Sequence, residues 1–390
     1  MSGPLSGRRV IELSAMGPVP FCGQLLADFG AEVIRIDRRQ PSSVATLGVD
    51  PRFISARGKR SVTLDLKRPD EVEKALQLVE SADVLLEGSR PGMAERLGLG
   101  PDACLARNPR LVYGRCSGWG SSGPLRERAG HDINYIALAG SLSLIGEAGA
   151  PPPPTLGFIG DHGGAGMLLT TAVLAALTQA QLCGEGQVVE ASILDGALAL
   201  TTPYHESMAG GERDDARGTI ADGAAPFYAT YETADGKYVA VGAMEPQFYA
   251  QLVEVLGFSH DELPLQSDRS CWADVKVRFA QRFREKTRDE WCRAAEGRDA
   301  CLAPVLTLSE VAQHPHHRAR GTFVEVGGVT QPAALPAFSR TPLSVPQPPP
   351  AIGADTDAVL AELLARAGAS RTDAGRPLET DTIDTGMVQR

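Results

Sequence analysis

The chain has 390 residues, 43% of them apolar, and a formal net charge of −10 at pH 7. This length accommodates two or three domains or one large α/β unit, and the acidic balance argues against a general nucleic-acid or membrane-surface binder. Residues 35–68 depart from the average, because they carry nine arginines and lysines against three aspartates. This basic segment suggests an anionic ligand, although a solvated surface stripe is the plainer alternative.

The first 120 residues are predicted to alternate between strands and helices. Strands are predicted at residues 9–13, 32–37, 61–66, 83–87 and 111–117, and helices at 21–29 and 69–80, with short helices up to 107. Mostly apolar strands separated by helices imply a parallel sheet covered on both faces, with ligands bound in the loops after the strands. The first βαβ unit lacks the fingerprint G-x-G-x-x-G, which disfavours NAD but allows another adenine nucleotide.

The stretch from Gly130 to Gly164 carries the most suggestive chemistry. It begins Gly-His-Asp-Ile-Asn-Tyr and ends Gly-Asp-His-Gly-Gly, so His131 and Asp161 each lie beside a glycine and before a predicted helix. A neutral histidine facing a protonated aspartic acid across a substrate carbon would form a two-base proton-transfer pair. Asp132 supplies a second carboxylate, which would raise the pKa of a buried Asp161 nearby. A lone histidine or aspartate is more often structural.

The rest of the chain is predicted to add a second module. Helices are predicted at 165–180 and 193–200 around a strand at 188–191, a hairpin at 227–233 and 238–243, helices at 245–256, 272–284 and 288–295, a strand at 301–306 and a last helix at 355–367. The hairpin signal is Ala-Asp-Gly-Lys between two apolar runs. The predicted division is a large domain (1–200), a linker (201–224), a small α+β domain (225–325), a return segment whose helix packs on the large domain (326–367) and a disordered tail (368–390).

Four other features allow two readings each. Glu245 could stabilise a helix dipole or orient an imidazole, and Tyr135 could face the reacting group or simply pack. The group His314, His316 and His317 looks like a metal cluster, but it lacks cysteine or acidic ligands, so we predict a surface loop and no metal site. His162 could compete with His131 as a proton carrier, although a supporting or solvent-facing role is favoured.

The compartment is indicated by cysteine usage and the chain ends. Seven scattered cysteines without a C-x-x-C pair are typical of reduced thiols in an intracellular protein. The N-terminus shows no secretion signal and the C-terminus no recognisable peroxisomal address. The apolar residues 167–177 are too few to span a bilayer and are predicted to form a buried helix. We expect a protein of the cytoplasm or an organelle matrix (mitochondrion or peroxisome), without membrane insertion.

Taken together, the motifs resemble the family III CoA-transferase superfamily over residues 5–346. The matching segments are Pro18-x-Pro-Phe-Cys22 and residues 26–31, 58–61, 64–67, 117–120, 130–135, 224–228 and 245–249. Gly-His-Asp-Ile-Asn-Tyr (130–135) with Glu-Pro-Gln-Phe-Tyr (245–249) points to the racemase branch more than to the transferases. The resemblance implies a Rossmann-like parallel-sheet large domain, a smaller α+β domain and an interlocked homodimer.

The resemblance also implies a role for each matching residue. His131 and Asp161 match bases on opposite faces of an acyl-CoA thioester, with Glu245 paired to the histidine and Asp132 to the aspartate. The residues that match substrate and CoA contacts are Arg38, Leu64, Asp65, Leu66, Lys67, Arg90, Gly130, Ile133, Asn134 and Tyr135. Residue 162, usually aromatic in the relatives, is histidine here, and Asp222-Gly-Ala-Ala-Pro226 replaces Asp-Gly-Gly-Ala-Pro, so the preferred acyl chain stays open.

The activity that the resemblance implies is the interconversion of (R)- and (S)-2-methylacyl-CoA thioesters. One base removes the α-proton, an enolate rests near the start of the helix after His131, and the opposite acid returns a proton. CoA is part of the substrate, and no metal, flavin or nicotinamide is expected. The alternatives are a CoA-transferase with Asp161 as nucleophile, against which the His131–Asp132 pair argues, and a catalytically silent CoA-binding scaffold.

Overall fold

The computed structural model describes residues 2–38, 54–211 and 215–373. Its central feature is a sheet of six parallel strands in the order β3-β2-β1-β4-β5-β6. The strands are β1 (Arg9–Leu13), β2 (Glu32–Asp37), β3 (Lys59–Thr63), β4 (Val84–Glu87), β5 (Val112–Ser117) and β6 (Gln187–Ser192). The strand order reverses direction between β1 and β4, as in doubly wound nucleotide-binding folds. The predicted parallel-sheet fold class is confirmed.

Helices cover both faces of this sheet. They are α1 (Pro18–Asp28), α2 (Pro69–Glu80), α3 (Met93–Arg96), α4 (Pro101–Arg107), α5 (Asp132–Leu138), α6 (Met167–Cys183), α7 (Ile193–Leu200) and α8 (Thr202–Ala209). Neighbouring residues of a strand point to opposite faces. In β1, Val10 packs in a core cluster with α1 and α6, and Ile11 packs in a second cluster with α2 and α4. Burial on both faces explains the apolar runs in these strands, such as Val10–Ile11 and Val84–Leu86.

A π-helix, Phe158–Gly166, runs directly into α6. The sequence predicts a glycine-rich turn here, with the helix starting at 165. In this wide helical turn, a Cβ on Gly163 would lie 2.6 Å from the Phe158 carbonyl oxygen, so the close approach of the two residues requires glycine. The continuous helix spans 26 residues, and its length and apolar composition alone would suffice to cross a membrane.

Only one face of α6 is buried, in contrast to the predicted buried helix. Leu169, Val173 and Leu177 face the core, whereas Met167 is 49% and Leu182 is 80% exposed. Within its most apolar 18-residue window, 39% of the long helix is buried. The described residues therefore leave the outer face of α6, including Met167 and Leu182, exposed.

The second module is a small antiparallel sheet packed against helices. Its strands are β7 (Tyr228–Glu232), β8 (Tyr238–Gly242) and β9 (Leu302–Val305), and its helices are α9 (Pro246–Val255), α10 (Trp272–Phe283), α11 (Arg288–Ala294), α12 (Leu308–Val311) and α13 (Pro315–Arg320). The predicted hairpin forms, with Gly236 at φ 71° in its turn. Tyr231 stacks on Phe283 at 4.8 Å, beside the fully buried Trp291, so this module has its own aromatic core.

The C-terminal part returns to the large sheet. It forms a hairpin, β10 (Phe323–Val326) with β11 (Val329–Pro332), and then α14 (Thr356–Asp373). Arg57 bonds to Gln331 at 2.8 Å, and the Ser61 amide donates to the Asp355 carboxylate at 2.8 Å. Val359 of α14 joins the core on one face of the sheet.

Three differences from the predicted segments stand out. The predicted linker, 201–224, includes α8, and β10 runs across the predicted boundary at residue 325. Helix α14 continues to Asp373, into the predicted disordered tail, and Asp355 and Thr356 at its start are anchored on β3. The remainder of that tail, 374–390, lies outside the described residues.

Candidate active site

A cavity of about 260 Å³ lies at the carboxyl edge of the large sheet, where the strand order reverses. In doubly wound sheets this crevice is the usual ligand site. The loops after β1, β4 and β5 form its walls. The main lining residues are Met16 and Pro18 after β1, Ser89 and Arg90 after β4, and Trp119, Arg126, Arg128, His131 and Tyr135 after β5.

His131 lies at the wall of this cavity and precedes the first turn of α5. Its backbone is extended, and its amide donates to the Asn134 Oδ1 at 3.0 Å, which caps the helix. The His131 residue is exposed. Asn134, predicted to contact substrate, thus fixes the backbone of His131, while the Ile133 side chain is 41% exposed beside it.

Asp161 is not among the residues that line the cavity; it lies on the π-helix, half-buried between two glycines, one of which, Gly17, stands between the lining residues Met16 and Pro18. A Cβ on Gly17 would lie 3.3 Å from the Asp161 Oδ2, and a Cβ on Gly157 would lie 3.6 Å from the same atom. Both glycines have positive φ, 69° and 78°, so a side chain at either position would strain the backbone as well as crowd the carboxyl. We call Gly17 and Gly157 the glycine slot of Asp161.

Asp132 connects the two proton carriers. It follows His131 directly, and its Oδ1 accepts a hydrogen bond from the Asp161 amide at 2.9 Å. Burial raises the pKa of the Asp161 carboxyl above its usual range, and the Asp132 carboxylate raises this pKa further. The imidazoles of His162 and His131 act in the opposite direction. His131 is therefore close enough to Asp161 to influence its ionisation, and Asp161 is biased toward holding a proton.

Tyr135 packs against neighbouring residues and also lines the cavity, where it could face a bound ligand. Its ring lies edge-on to Trp119, with centroids 4.5 Å apart. A Cβ on Gly118 would come within 2.2 Å of the Tyr135 hydroxyl, and one on Gly130 would come within 2.8 Å of its ring. Gly130 is thus required for close packing. Burial, and then the charge of Asp161, raise the pKa of Tyr135, which keeps the phenol protonated.

Most of the basic residues in 35–68 form ion pairs within the protein. The pairs are Arg35–Asp37, Arg57–Asp28, Lys59–Glu12, Arg60–Glu32 and Arg68–Asp70, with N–O distances of 2.6 to 2.9 Å. Arg35, Arg57 and Lys59 are buried in these contacts. Arg39 and Arg52 lie outside the described residues. The number of basic residues in this segment therefore overstates how many cations are available to bind a ligand.

The predicted CoA contacts follow three strands of the large sheet. Arg38 follows β2, the segment Leu64–Lys67 follows β3, and Arg90 follows β4, so all lie at the same edge as the cavity. Arg38, Lys67 and Arg90 are exposed. The Leu64 side chain is buried in the core and Leu66 packs against it, while the Asp65 amide donates to Glu71. A ligand could reach Leu64 only through its backbone.

Comparisons with known proteins agree with this arrangement. A family model, CoA-transferase family III, matches residues 5–356. The chain belongs to CoA-transferase family III. It is 45% identical to the α-methylacyl-CoA racemase of Mus musculus over 362 residues, covering 92% of this chain and 93% of that protein. It is 43% identical to the racemase of the same name from Homo sapiens over 372 residues, with the same coverage.

A solved structure of the same superfamily shares the fold. The CAIB/BAIF family protein from Brucella suis matches with a TM-score of 0.82 and 26% identity, over 93% of this chain and all of that chain. The long match means that the small module and the return segment belong to this family III fold as well as the sheet.

Glu245 is the one predicted proton-transfer residue that lies apart from the others. It precedes α9 in the small module and is exposed. In the described part of the chain, no hydrogen bond or ion pair joins it to His131. Burial raises the pKa of the Cys301 thiol, and the charge of Glu245 raises it further. A single family III chain thus brings together His131, Asp132 and Asp161 but not Glu245.

Sequence reasoning missed several residues of the site. The glycine slot was not expected, although Gly17 precedes a proline at a helix start, a pattern typical of a tight turn. Trp119, Arg126 and Arg128 line the cavity without having been predicted. The only available signal was their position in the loop after a predicted strand, where ligands bind in such folds.

We predicted a surface loop for the histidine group of the small module, but these residues form the start of helix α13. His314 caps α13 by accepting from the His316 amide at 3.3 Å, and the His317 Nδ1 lies 2.9 Å from the Thr322 Oγ1. Among the described residues, no group of three or more histidine, cysteine or acidic side chains is placed to hold a metal ion.

Proposed function

We propose that this chain is an α-methylacyl-CoA racemase that interconverts (R)- and (S)-2-methylacyl-CoA thioesters. The observation that carries the proposal is that His131 lines the cavity while Asp132, the next residue, bonds to the backbone of Asp161, whose ionisation His131 influences. The 45% and 43% identity to proteins with this activity supports it. Fatty-acid and bile-acid metabolism use such thioesters and are the proposed context.

In the proposed reaction the proton is exchanged at one carbon. One base takes the α-proton, and the C–H electron pair moves into the thioester carbonyl to form a planar enolate. The acid on the opposite face donates its proton to the α-carbon, and the electron pair returns from oxygen. The enolate oxygen is assigned to the start of α5, since helix N-termini favour negative charge. Each direction needs one carrier protonated and the other free.

The raised pKa of Asp161 favours proton transfer over the transferase alternative. In a transferase, Asp161 would attack as a carboxylate and form an anhydride, and burial beside Asp132 disfavours that ionised form. In a racemase, one direction requires this carboxyl as the acid, and a raised pKa favours its protonated form. The racemase mechanism also gives His131 a role, whereas a carboxylate nucleophile would not need it.

One pair of assays separates the two activities. In D2O, a 2-methylacyl-CoA should gain one deuterium at the α-carbon, followed by mass spectrometry, and His131→Ala should abolish this wash-in. Near-normal wash-in by H131A would overturn the assignment of His131. Exchange of CoA onto a free carboxylic acid, without wash-in, would instead establish the transferase. Tight CoA binding with neither activity would favour the scaffold.

We also propose that CoA binds along the carboxyl edge through Arg38, the backbone of Leu64–Lys67 and Arg90. Arg90 and Arg128 line the cavity, and Arg38 and Lys67 are exposed after strands of the same sheet edge, which supports this. Phosphate groups favour arginine because its guanidinium can form two parallel hydrogen bonds. Arg90→Met should raise KM for the thioester, whereas Arg60→Met, which removes an internal ion pair, should not.

A homodimer with the small module of one subunit closing the site of the other is the proposed assembly. It would bring Glu245 of a second copy to His131 and fix the imidazole tautomer. The apolar outer surface supports it: Met167, Leu182, Leu198, Leu200 and Met208 are all exposed on α6, α7 and α8. Such a surface is typical of an obligate interface, and covering it would leave no face for membrane insertion.

Subunit mixing tests this assembly directly. H131A and E245Q should each be inactive or impaired as homodimers. A mixed dimer refolded from both contains one site with both wild-type residues if Glu245 acts across subunits, so activity should return. If both residues act within one chain, every site of the mixed dimer carries a substitution, and activity should not rise.

We place the protein in a reducing compartment, the cytoplasm or an organelle matrix. All seven cysteines are free thiols, three of them buried, which supports this choice. The proposed reaction needs no cofactor beyond the CoA of its substrate, so dialysis against EDTA should leave the wash-in rate unchanged. Loss of activity that added metal restores would contradict this.

A further inference from the structure

His162 directly follows Asp161, and its ring is held from two sides. Its Nδ1 lies 2.9 Å from the Gly157 carbonyl oxygen, and the ring meets Phe21 edge-on with centroids 5.2 Å apart. A carbonyl oxygen only accepts hydrogen bonds, so Nδ1 carries the hydrogen and donates it. The His162 amide donates to the same oxygen at 3.0 Å. One residue is therefore bonded twice to Gly157.

These contacts reach both walls of the glycine slot. A Cβ on Gly157 would lie 3.5 Å from the His162 Nδ1 and 3.6 Å from the Asp161 Oδ2, so imidazole and carboxyl meet at the same glycine. The other wall, Gly17, immediately precedes α1, and Phe21 is the fourth residue of that helix. His162 thus contacts one wall directly and the helix that carries the other wall through Phe21.

We propose that His162 is a positioning residue for Asp161, which holds the glycine slot at the width that keeps the carboxyl aimed at the substrate carbon. This rests on the proposed function, in which Asp161 carries a proton. His162 itself exchanges no proton with the substrate. Displacing a reacting group by about 1 Å can lower a rate by roughly 10²-fold, so a residue with this role controls turnover without touching substrate.

A matched pair of variants tests the hydrogen bond. The amide nitrogen of asparagine occupies the position of Nδ1, and that of glutamine occupies the position of Nε2. We expect His162→Asn to keep kcat for α-proton exchange within about threefold of wild type, and His162→Gln to lose about tenfold or more. KM should stay within about twofold for both, since binding and positioning are separable in this way.

Two results would overturn the proposal. One is wild-type kcat in H162Q, and the other is equal loss in H162N and H162Q, which would mean that the donor position is irrelevant. Thermal unfolding of both variants identifies any that is misfolded. A purely structural role would lower the melting temperature in step with kcat and would not separate asparagine from glutamine.

A measurement on the wild-type protein needs no variant. In 15N NMR at pH 8, the His162 ring should be the Nδ1–H tautomer, and the Nε2–H tautomer would overturn the proposal. The two levels of inference fail separately. Absence of deuterium wash-in by wild type would reject the racemase, whereas wash-in that is insensitive to H162Q would reject only the positioning role.

Discussion

The two proposed proton carriers have unlike surroundings. Asp161 is half-buried in the glycine slot, and its backbone bonds to Asp132. His131 is exposed, and its hydrogen bonds in the described part of the chain are with the first turn of α5, to Asn134 and Tyr135. The aspartate half of the site is complete within one chain, whereas the histidine half is open.

The difference teaches which groups an enzyme must orient. Two equivalent oxygens let a carboxyl work from either side, so burial and close packing suffice to aim Asp161. An imidazole has two distinct nitrogens, and a partner on one must set the proton on the other. The half that needs such a partner is the half left open, which is the physical reason to assign Glu245 to it from a second subunit.

The largest expected effect comes from replacing Asp161, the proton carrier whose surroundings are complete within one chain. Asp161→Asn removes both the acid and the base of one face, and we expect deuterium wash-in to fall by about 10³-fold or more. Asp274→Asn, an exposed carboxyl of the small module, is the control and should retain full activity. Near-normal wash-in by D161N would remove Asp161 from the reaction.

The next largest effect comes from replacing Glu245, the proposed partner of His131. Glu245→Gln keeps the shape of the side chain but loses its charge, and we expect kcat to fall by about 10²-fold, within the range of acid–base assistance. Glu254→Gln on α9, where Glu254 pairs with Arg298 at 2.9 Å, is the matched control. Equal kcat values for E245Q and E254Q would show that the histidine works without this partner.

A smaller effect sharpens the role of the glycine slot. Gly17→Ala should lower kcat by about tenfold, because the new Cβ would touch the Asp161 carboxyl and displace it. Gly257→Ala, with φ 74° and open space around it, shares the backbone strain of about 1 kcal/mol without this contact. If both variants lose stability equally and G17A keeps its kcat, the slot does not position Asp161.

The smallest effect concerns pH. Asp132→Asn keeps an oxygen to accept from the Asp161 amide but removes a negative charge that raises the pKa of Asp161. With that charge gone, the Asp161 carboxyl ionises at lower pH. In the direction in which Asp161 is the base, the acidic limb of the kcat/KM profile should therefore move to lower pH. A limb that stays in place, or moves to higher pH, would show that Asp132 does not act on Asp161 electrostatically.

Much of the fold could be predicted because apolar periodicity is local. Five of the six sheet strands, and the hairpin at Gly236, follow from short apolar runs bounded by turn residues. The predicted third strand, 61–66, is displaced from the observed β3, Lys59–Thr63. The reason is Leu64, which lies beyond the strand end but is buried in the core like a strand residue. The π-helix could not be predicted, because glycines in a row also signal a turn.

The sequence by itself determined the chemical types present and their order: a parallel-sheet fold, a histidine and an aspartate beside glycines, and cations after successive strands. Only the tertiary structure decided which of them meet. It placed Gly17, distant in sequence, against Asp161, and it bound Arg57 and Lys59 into internal ion pairs. The reason is physical, since residue type sets what a group can do, but distance and burial set whether it is charged, paired or available.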